Sequence, residues 1–447
     1  MMKFDLPSQV STALNILAAA GYEGYIIGGC VRDYILGKTP RDFDIATNAL
    51  PVEMEKLFSE YPLVKTGIQH GTVTVIIDSL PLEITTYRCE GEYIDKRRPQ
   101  NVSFISSLRE DCARRDFTIN AIAYNETEGL IDYYYGLEDI AAKTIRAVGG
   151  ANQRFREDAL RIVRAIRFAS ELGFLIEDQT KEAIIRHKGL LNYISMERVY
   201  SELVKLVCGS DAHKTLLEYL DVVAVFLPEL KTLKGFDQYN PFHIYDVLAH
   251  TAMVVDNIAP LPHLRLAALL HDIAKPLTFS LDKKGIGHFY GHCELGSQMA
   301  KEILQRLKAD NWTIERVALL IKYHDVHLDE EPKIIKRWMS KLTPVVFNEM
   351  LQLKRADRLA KNPRFSAERL EQLARIEQIS KQILQDQECF QLKDLQINGD
   401  DLQSLGFKQG KQIGIILNKL LRLVIDEQLE NEYSALAAKT KEWQISE

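Results

Sequence analysis

Apolar positions along the 447-residue chain follow two different periods. In the first 150 residues short apolar runs are separated by turn residues. GYEGYIIGG reads as a strand entering a glycine turn, TVTVIID and LEITTYR as two more strands, and FTINAIAY as a fourth. PVEMEKLFSEY, between them, reads as helix, and the first 21 residues predict an amphipathic helix capped at Ser8 and stopped at Gly21. From about residue 151 onward the period is helical, as in EDALRIVRAIRFASELG, QTKEAIIRHKGLL and MERVYSELVKLVCG. Pro, Gly and Asn cluster in PELKTLKGFDQYNPFHIYD and mark a break; RLAKNPRFS, around Pro363, marks a softer one. The last stretch, INGDDLQSLGFKQGKQIGIILNKLLRLVID, reads as two helices joined at a glycine turn. The pattern predicts an α+β chain with a mixed sheet in residues 1–148, then helical segments 149–235, 236–365 and 366–447.

Composition narrows the class. Lys+Arg number 56 against 62 Asp+Glu, a net charge of −6, and 46% of residues are hydrophobic with 26% charged, the profile of a globular protein with a core. No run reaches the ~18 apolar residues that a membrane span needs, so no membrane partner is expected. The start, with an acid at Asp5 and a short apolar stretch, is a poor secretory signal. Six cysteines stand far apart with no CxxC pair, which fits a reducing cytoplasm. An acidic chain is no bulk polycation binder, so any nucleic-acid surface must be local. Oligomeric state leaves no signature in these patterns.

The first chemical constellation follows the glycine turn. Gly28 and Gly29 lie between an apolar strand and a helix, where backbone N–H groups can face a phosphate. Asp42 and Asp44 flank Phe43; in a strand both carboxylates share one face while Phe43 enters the core. Neighbouring carboxylates repel unless a cation lies between them, and hard oxygen ligands select Mg²⁺. Arg32, Asp33 and a third strand-borne acid, Glu83, strengthen the pattern, and Arg115 and Asp116 of RRDFTINAIAY are placed to hold triphosphate and ribose.

Further on, RFREDALRIVRAIRFA puts Asp158 and Arg161 three residues apart, on one face of a helix. Asp accepts and Arg donates hydrogen bonds. Cytosine and adenine both present an amine donor beside a ring-nitrogen acceptor, whereas guanine and uracil present the reverse. An Asp/Arg pair is therefore a protein surrogate for a pairing base that accepts C and A. Arg164 and Arg167 continue the spacing toward phosphates, and the six arginines without a lysine from Arg146 to Arg167 favour planar, bidentate recognition.

GG-x-V-R-D, D-x-D, RRDFT-x-NA and ED-x-x-R, in this order, resemble the class II tRNA nucleotidyltransferases, the CCA-adding enzymes and their bacterial poly(A) polymerase relatives. The motifs span residues 28–168, and the helices up to about 235 are similar to the family's neck. The resemblance implies a polymerase-β-like head in which Asp42 and Asp44 bind metal, Glu83 is a third carboxylate, and Gly29, Arg32, Arg115, Asp158, Arg161, Arg164 and Arg167 bind nucleotide. It implies CTP, ATP and the tRNA 3′ end as partners. The segment between Arg88 and RRDFT, basic at Lys96, Arg97 and Arg98, is full length, whereas family members that add only CC look shortened there. That argues against CC-only addition and leaves whole-CCA and A-only addition open. A moving loop at 89–113 is the expected switch from C to A, and deleting Tyr93–Gln100 is expected to stop synthesis after CC. Poly(A)-forming relatives usually carry a longer basic tail than this chain has.

A second constellation is histidine-rich. Eight of 11 histidines fall between His243 and His327, where even scattering would place about two. His250 lies in a helical stretch, His271 and Asp272 close the apolar run LRLAALLHD, His324 ends another helix, and Asp357 lies in LKRADRLAK. Imidazoles and carboxylates converging from several helices make a pocket for a divalent metal such as Zn, Mn, Ni or Fe. The order resembles the HD phosphohydrolase domain, read as His250, His271, Asp272 and Asp357, with His292 and His324 matching the extra ligands of binuclear members. The resemblance implies a metal-bound hydroxide that hydrolyses phosphate esters, with 2′,3′-cyclic phosphates or damaged 3′ ends as targets. A rival of another class is a metal phosphohydrolase whose head only binds RNA. In the tail, Lys408 and Lys411 are candidate phosphate contacts; His70 is expected to be structural.

Overall fold

The computed structural model describes residues 3–90 and 102–445. The basic stretch Lys96–Arg98 and the segment Tyr93–Gln100 lie outside the described residues. The chain divides into two compact units, Met1–Lys231 and Thr232–Glu447.

The first unit opens with helix Ser8–Ala19. Ser8 is its first helical residue, behind Pro7 at the cap position, and the Ser8 hydroxyl bonds to Gln9 Oε1 and not to the orphan backbone amides. The expected Ser8 cap is thus corrected, because Pro7 already fixes the entry angle. Gly21 does end this segment, with φ +83°.

Among the described residues nine strands lie between residues 24 and 132: β1 (Gly24–Ile27), β2 (Asp44–Thr47), β3 (Leu63–Val64), β4 (Thr72–Ile77), β5 (Leu80–Thr86), β6 (Arg88–Glu90), β7 (Val102–Phe104), β8 (Ile122–Asn125) and β9 (Gly129–Asp132). Seven form one mixed sheet in the order β3-β4-β5-β2-β1-β8-β9, with β2 and β5 parallel and the other pairs antiparallel. β6 and β7 pair separately. The fourth strand predicted from FTINAIAY is shorter than expected: Thr118–Asn120 is a 3₁₀ turn, and only Ile122–Asn125 pairs. One face of the sheet packs Tyr25, Ile27, Ala46, Tyr87, Ala121 and Ala123 against Leu108, Cys112 and Val148.

The helix predicted across EDALRIVRAIRFASELG is two helices, Ala151–Glu157 and Leu160–Leu172. Asp158 breaks them with extended backbone (φ −133°, ψ 105°), and its Oδ1 accepts from the Leu160 N–H. A short acidic side chain that caps the following helix competes with continuous helix at this position. Helices Asp178–His187, Met196–Val207, Ala212–Glu218 and Leu220–Val223 follow within the unit.

The second unit is mainly helical, with one short antiparallel strand pair, Phe279–Leu281 and Gly287–Phe289. Five of its helices, Val247–Asn257, Pro262–Leu270, His292–Arg306, Asn311–Tyr323 and Pro344–Leu359, bring histidines and carboxylates from their length or their ends to one cluster. Pro262–Leu270 is buried along seven consecutive residues, Leu264–Leu270, as its nearly continuous apolar run requires. The softer boundary expected around Pro363 falls at a junction between helices, where Pro344–Leu359 ends and Pro363–Gln385 begins; the two pack together, and residues 365 and 366 lie inside the second. The tail forms helices Gly399–Ser404, Lys411–Ile425 and Tyr433–Ile445. Among the described residues no helix is long and apolar enough to cross a membrane.

Candidate active site and a buried histidine cluster

β1 ends where β2 begins, and the turn before β8 comes to the same place. Gly28 sits there with φ +86°; an added Cβ would lie 3.0 Å from Arg115 Nη1 and 3.9 Å from Asp44 Oδ2. A side chain there is strained by the backbone conformation and would crowd the Arg115 guanidinium. Asp44 is the first residue of β2 and pairs in register with Glu83 of β5. Asp42 lies in the bend just before the strand, and Phe43 between the two acids is buried, as the alternation predicted. Asp42, Asp44 and Glu83 are all exposed.

Asp44 meets solvent yet is crowded by protein. Desolvation, reinforced by the Glu83 and Asp42 charges, pushes its carboxyl up to about 6, against the pull of Arg115. Clustered carboxylates that raise one another in this way are a donor set for a hard divalent cation.

Behind the acids runs a chain of paired groups. Arg32 donates to Asp33 (2.7 Å) and to Asn120 Oδ1 (2.8 Å); Asn120 Nδ2 donates to Asp116 Oδ1 (3.2 Å). Arg164 grips Asp116 Oδ2 at 2.7 Å and reaches Glu202 at 3.5 Å, while Arg167 donates to Glu202 (2.9 Å) and Glu171 (2.6 Å). Arg32 and Arg164 stand 5.1 and 5.5 Å from the Phe168 ring. Burial acts to raise Asp116, but the charge and hydrogen bonds of Arg164, the Asn120 amide and the Arg161 charge outweigh it and hold the carboxyl well below the usual range.

Asp158 and Arg161 do not share a continuous helix face, because the backbone breaks at Asp158. The Asp158 carboxylate is held by Arg198 at 2.8 and 3.3 Å. Arg161 donates to Glu157 (2.9 Å) and to the Arg114 carbonyl (2.8 Å). Asn120, Arg198 and Glu202 were missed as partners; Arg198 and Glu202 are four apart in MERVYSELV, one turn of the same helix. Gly29 is the first residue of the helix that follows Gly28.

In the second unit the six expected residues do converge, one or two from each of the five helices or their ends. His250 Nε2 lies 3.0 Å from Asp357 Oδ1 and 3.5 Å from Asp272 Oδ2, and His271 Nε2 lies 3.1 Å from that same Oδ2. The other oxygen, Asp272 Oδ1, faces His292 Nε2 (3.8 Å) and His324 Nε2 (3.9 Å). One carboxylate thus divides its two oxygens between two pairs of imidazoles. Every Nδ1 is turned outward to a backbone carbonyl: His250 to Ala360 (3.3 Å), His271 to Ala268 (2.7 Å), His292 to Phe289 (2.8 Å) and His324 to Ile321 (2.7 Å). That fixes the tautomer and aims each Nε2 lone pair inward.

Burial pushes the His324 imidazole down to about 3, so it is the neutral, ligating form near pH 7. His271 Nε2 and Asp272 Oδ2 are buried and, despite their proximity, make no well-aligned hydrogen bond, which leaves donor atoms for an ion. Lys275 and Lys361 stand 2.6–2.7 Å from Asp272 and Asp357. Their spacing, HD-x-x-K and D-x-x-x-K, was the sequence signal for these partners. The cluster opens on a cavity of about 490 Å³.

Three family models match the chain. They are described as "Poly A polymerase head domain" (residues 24–146), "Probable RNA and SrmB- binding site of polymerase A" (173–234) and "tRNA nucleotidyltransferase domain 2 putative" (282–440). A CCA-adding enzyme of Latilactobacillus sakei is 34% identical over 434 residues, covering 96% of each chain. The chain belongs to the CCA-adding enzyme family. A CCA-adding enzyme of Lactobacillus delbrueckii is 47% identical over 213 residues; that match spans about half of each protein, 48% of this chain and 53% of the relative. The solved CCA-adding enzyme of Bacillus stearothermophilus in complex with CTP is 27% identical, with a TM-score of 0.68 over 99% of both chains. Membership agrees with the reading of the motifs in residues 28–168, and the fold is α+β with a polymerase head domain.

Proposed function

We propose that this protein adds C, C and A in turn to the 3′ end of tRNA, using CTP and ATP and releasing pyrophosphate. The observation that carries the reading is the Asp44–Glu83 register pair, with Asp42 leading in, beside Gly28 and Arg115. The tRNA 3′-hydroxyl loses its proton to solvent as its oxygen forms a bond to the α-phosphorus, the bond from that phosphorus to the bridging oxygen breaks, and pyrophosphate leaves with the electron pair. Asp42 and Asp44, with Glu83, would hold Mg²⁺, whose chemistry is to make the hydroxyl more acidic and to neutralise the leaving pyrophosphate. Arg115 and Arg32 orient triphosphate, and Asp116 is placed for the ribose. Asp158 and Arg161 read the C or A edge, with Arg198 and Glu157 fixing their orientation. Arg164 and Arg167, tied to Asp116 and Glu202, brace this wall.

The test uses tRNA lacking all, one or two terminal nucleotides, with labelled CTP or ATP. Incorporation of C onto the fully truncated tRNA is expected; incorporation of A alone would replace whole-CCA addition with the A-only or poly(A)-forming alternative.

A second activity is favoured by the histidine cluster. His250, His271, Asp272 and Asp357, with His292 and His324, fit a divalent transition metal pair whose chemistry is to supply hydroxide for phosphate-ester hydrolysis. We read this as an HD-type phosphohydrolase acting on 2′,3′-cyclic phosphate or damaged 3′ ends. Among the described residues no cysteine is joined in a disulfide, which supports a reducing, cytoplasmic setting.

A further inference from the structure

Cys293 follows His292 in the first turn of helix His292–Arg306 and lines the same cavity. Its Sγ lies 3.5 Å from His292 Nε2, which in turn lies 3.4 Å from His324 Nε2. The ligand atoms of His292, Cys293 and His324 all fall within 4.8 Å of one another. These separations can be compared with a tetrahedral zinc site. With bonds of about 2.3 Å to sulfur and about 2.05 Å to nitrogen, the S···N edge is about 3.6 Å and the N···N edge about 3.3 Å. Both observed spacings match the edges of such a tetrahedron. Asp272 Oδ1, 3.8–3.9 Å from the two imidazoles, stands half an ångström or so beyond the remaining corner.

We infer that Cys293 is a thiolate ligand of the second cation, completing a His292–Cys293–His324–Asp272 set. The inference rests on the metal-centre reading above and deepens it, because it divides the cluster into two chemically unlike halves. His250, His271, Asp272 and Asp357 offer nitrogen and oxygen only; the second half adds a soft sulfur, which selects Zn²⁺, Co²⁺ or Fe²⁺ over Mn²⁺ and Mg²⁺. Burial and the nearby Asp325 and Asp272 carboxylates push the free thiol up to about 12, so it is the cation that draws the proton from the sulfur on binding. On binding, the S–H bond breaks, the sulfur keeps the electron pair and donates it to the cation, and one proton passes to solvent.

The full-length protein, stripped of metal and titrated with Co²⁺, tests this. Two equivalents are expected to bind, with a near-ultraviolet sulfur-to-cobalt charge-transfer band. Cys293→Ser should abolish the band and weaken binding of one Zn²⁺ by a factor on the order of 10², with Mn²⁺ binding nearly unchanged. His250→Ala, which removes a ligand from the other half, should keep the band and shows that the fold survives mutation here. Two bound Co²⁺ without the band, or unchanged Zn²⁺ affinity in Cys293→Ser, overturns the thiolate assignment while leaving the metal centre. Failure to bind Co²⁺ at all overturns the centre and the assignment with it.

Discussion

The carboxylate site of the first unit and the histidine cluster of the second both gather acids, yet they are built oppositely. Asp42, Asp44 and Glu83 are exposed; strand register sets Asp44 level with Glu83, and Asp42 comes from the bend before the strand. His250, His271, Asp272, His292, His324 and Asp357 are all buried, and each imidazole is locked from behind by a backbone carbonyl. An open oxygen site suits a cation that arrives and departs with each nucleotide, whereas a buried nitrogen site with fixed tautomers suits one that stays. The difference also shows in what stands behind each. The carboxylates are backed by a network of arginines tied to Asp116, Glu202 and Asn120; the histidines are backed by peptide groups, which only orient.

The sharpest way to break this comparison is to damage each site separately. Asp44→Ala should lower CCA addition by at least about 10³-fold, roughly 4 kcal/mol of transition-state stabilisation, while phosphoester hydrolysis by the same preparation is unaltered. Loss of both activities together would show that the two sites are not independent. His271→Ala should do the reverse, cutting hydrolysis of a 2′,3′-cyclic phosphate by at least about 10²-fold and leaving CTP incorporation unchanged.

Smaller effects sharpen the arginine network. Glu202→Ala leaves Arg167 with Glu171 alone and weakens the hold on Arg164, and should cost about 2 kcal/mol, read as a lower urea midpoint for the first unit. Asp116 gives a pH signature. Its carboxyl is held below the ordinary value of about 4, so its contribution is present above that pH and is lost as pH falls through the lowered value. Asp116→Asn should therefore lower stability at pH 7 and flatten its acid-side decline; an unchanged acid limb would remove Asp116 from the network. The smallest effect is expected from Arg198→Met, which frees the Asp158 carboxylate. Discrimination of CTP against UTP should relax roughly tenfold, about 1.4 kcal/mol, in competition assays.

Much of this was legible because spacing carries chemistry when the element is regular. Period-two alternation placed Phe43 in the core and the two acids beside it, and the order H…HD…D needed only helices to carry it. The errors fell where a local side chain overrode the pattern. Pro7 displaced the Ser8 cap, and Asp158 broke a helix that hydrophobic period alone made continuous. The Asp158–Arg161 face was drawn on that unbroken helix, so Arg198 and Glu157, their actual partners, went unseen.

The chain by itself determined which residue types are available and which neighbours along an element share a face, since strand and helix periods follow from backbone geometry. Only the tertiary structure decided that Glu83 stands level with Asp44, that one Asp272 carboxylate serves two pairs of imidazoles, and that Cys293 joins the second pair. Those are contacts between elements far apart in sequence. Their distances are set by strand register and helix packing, which no local period encodes.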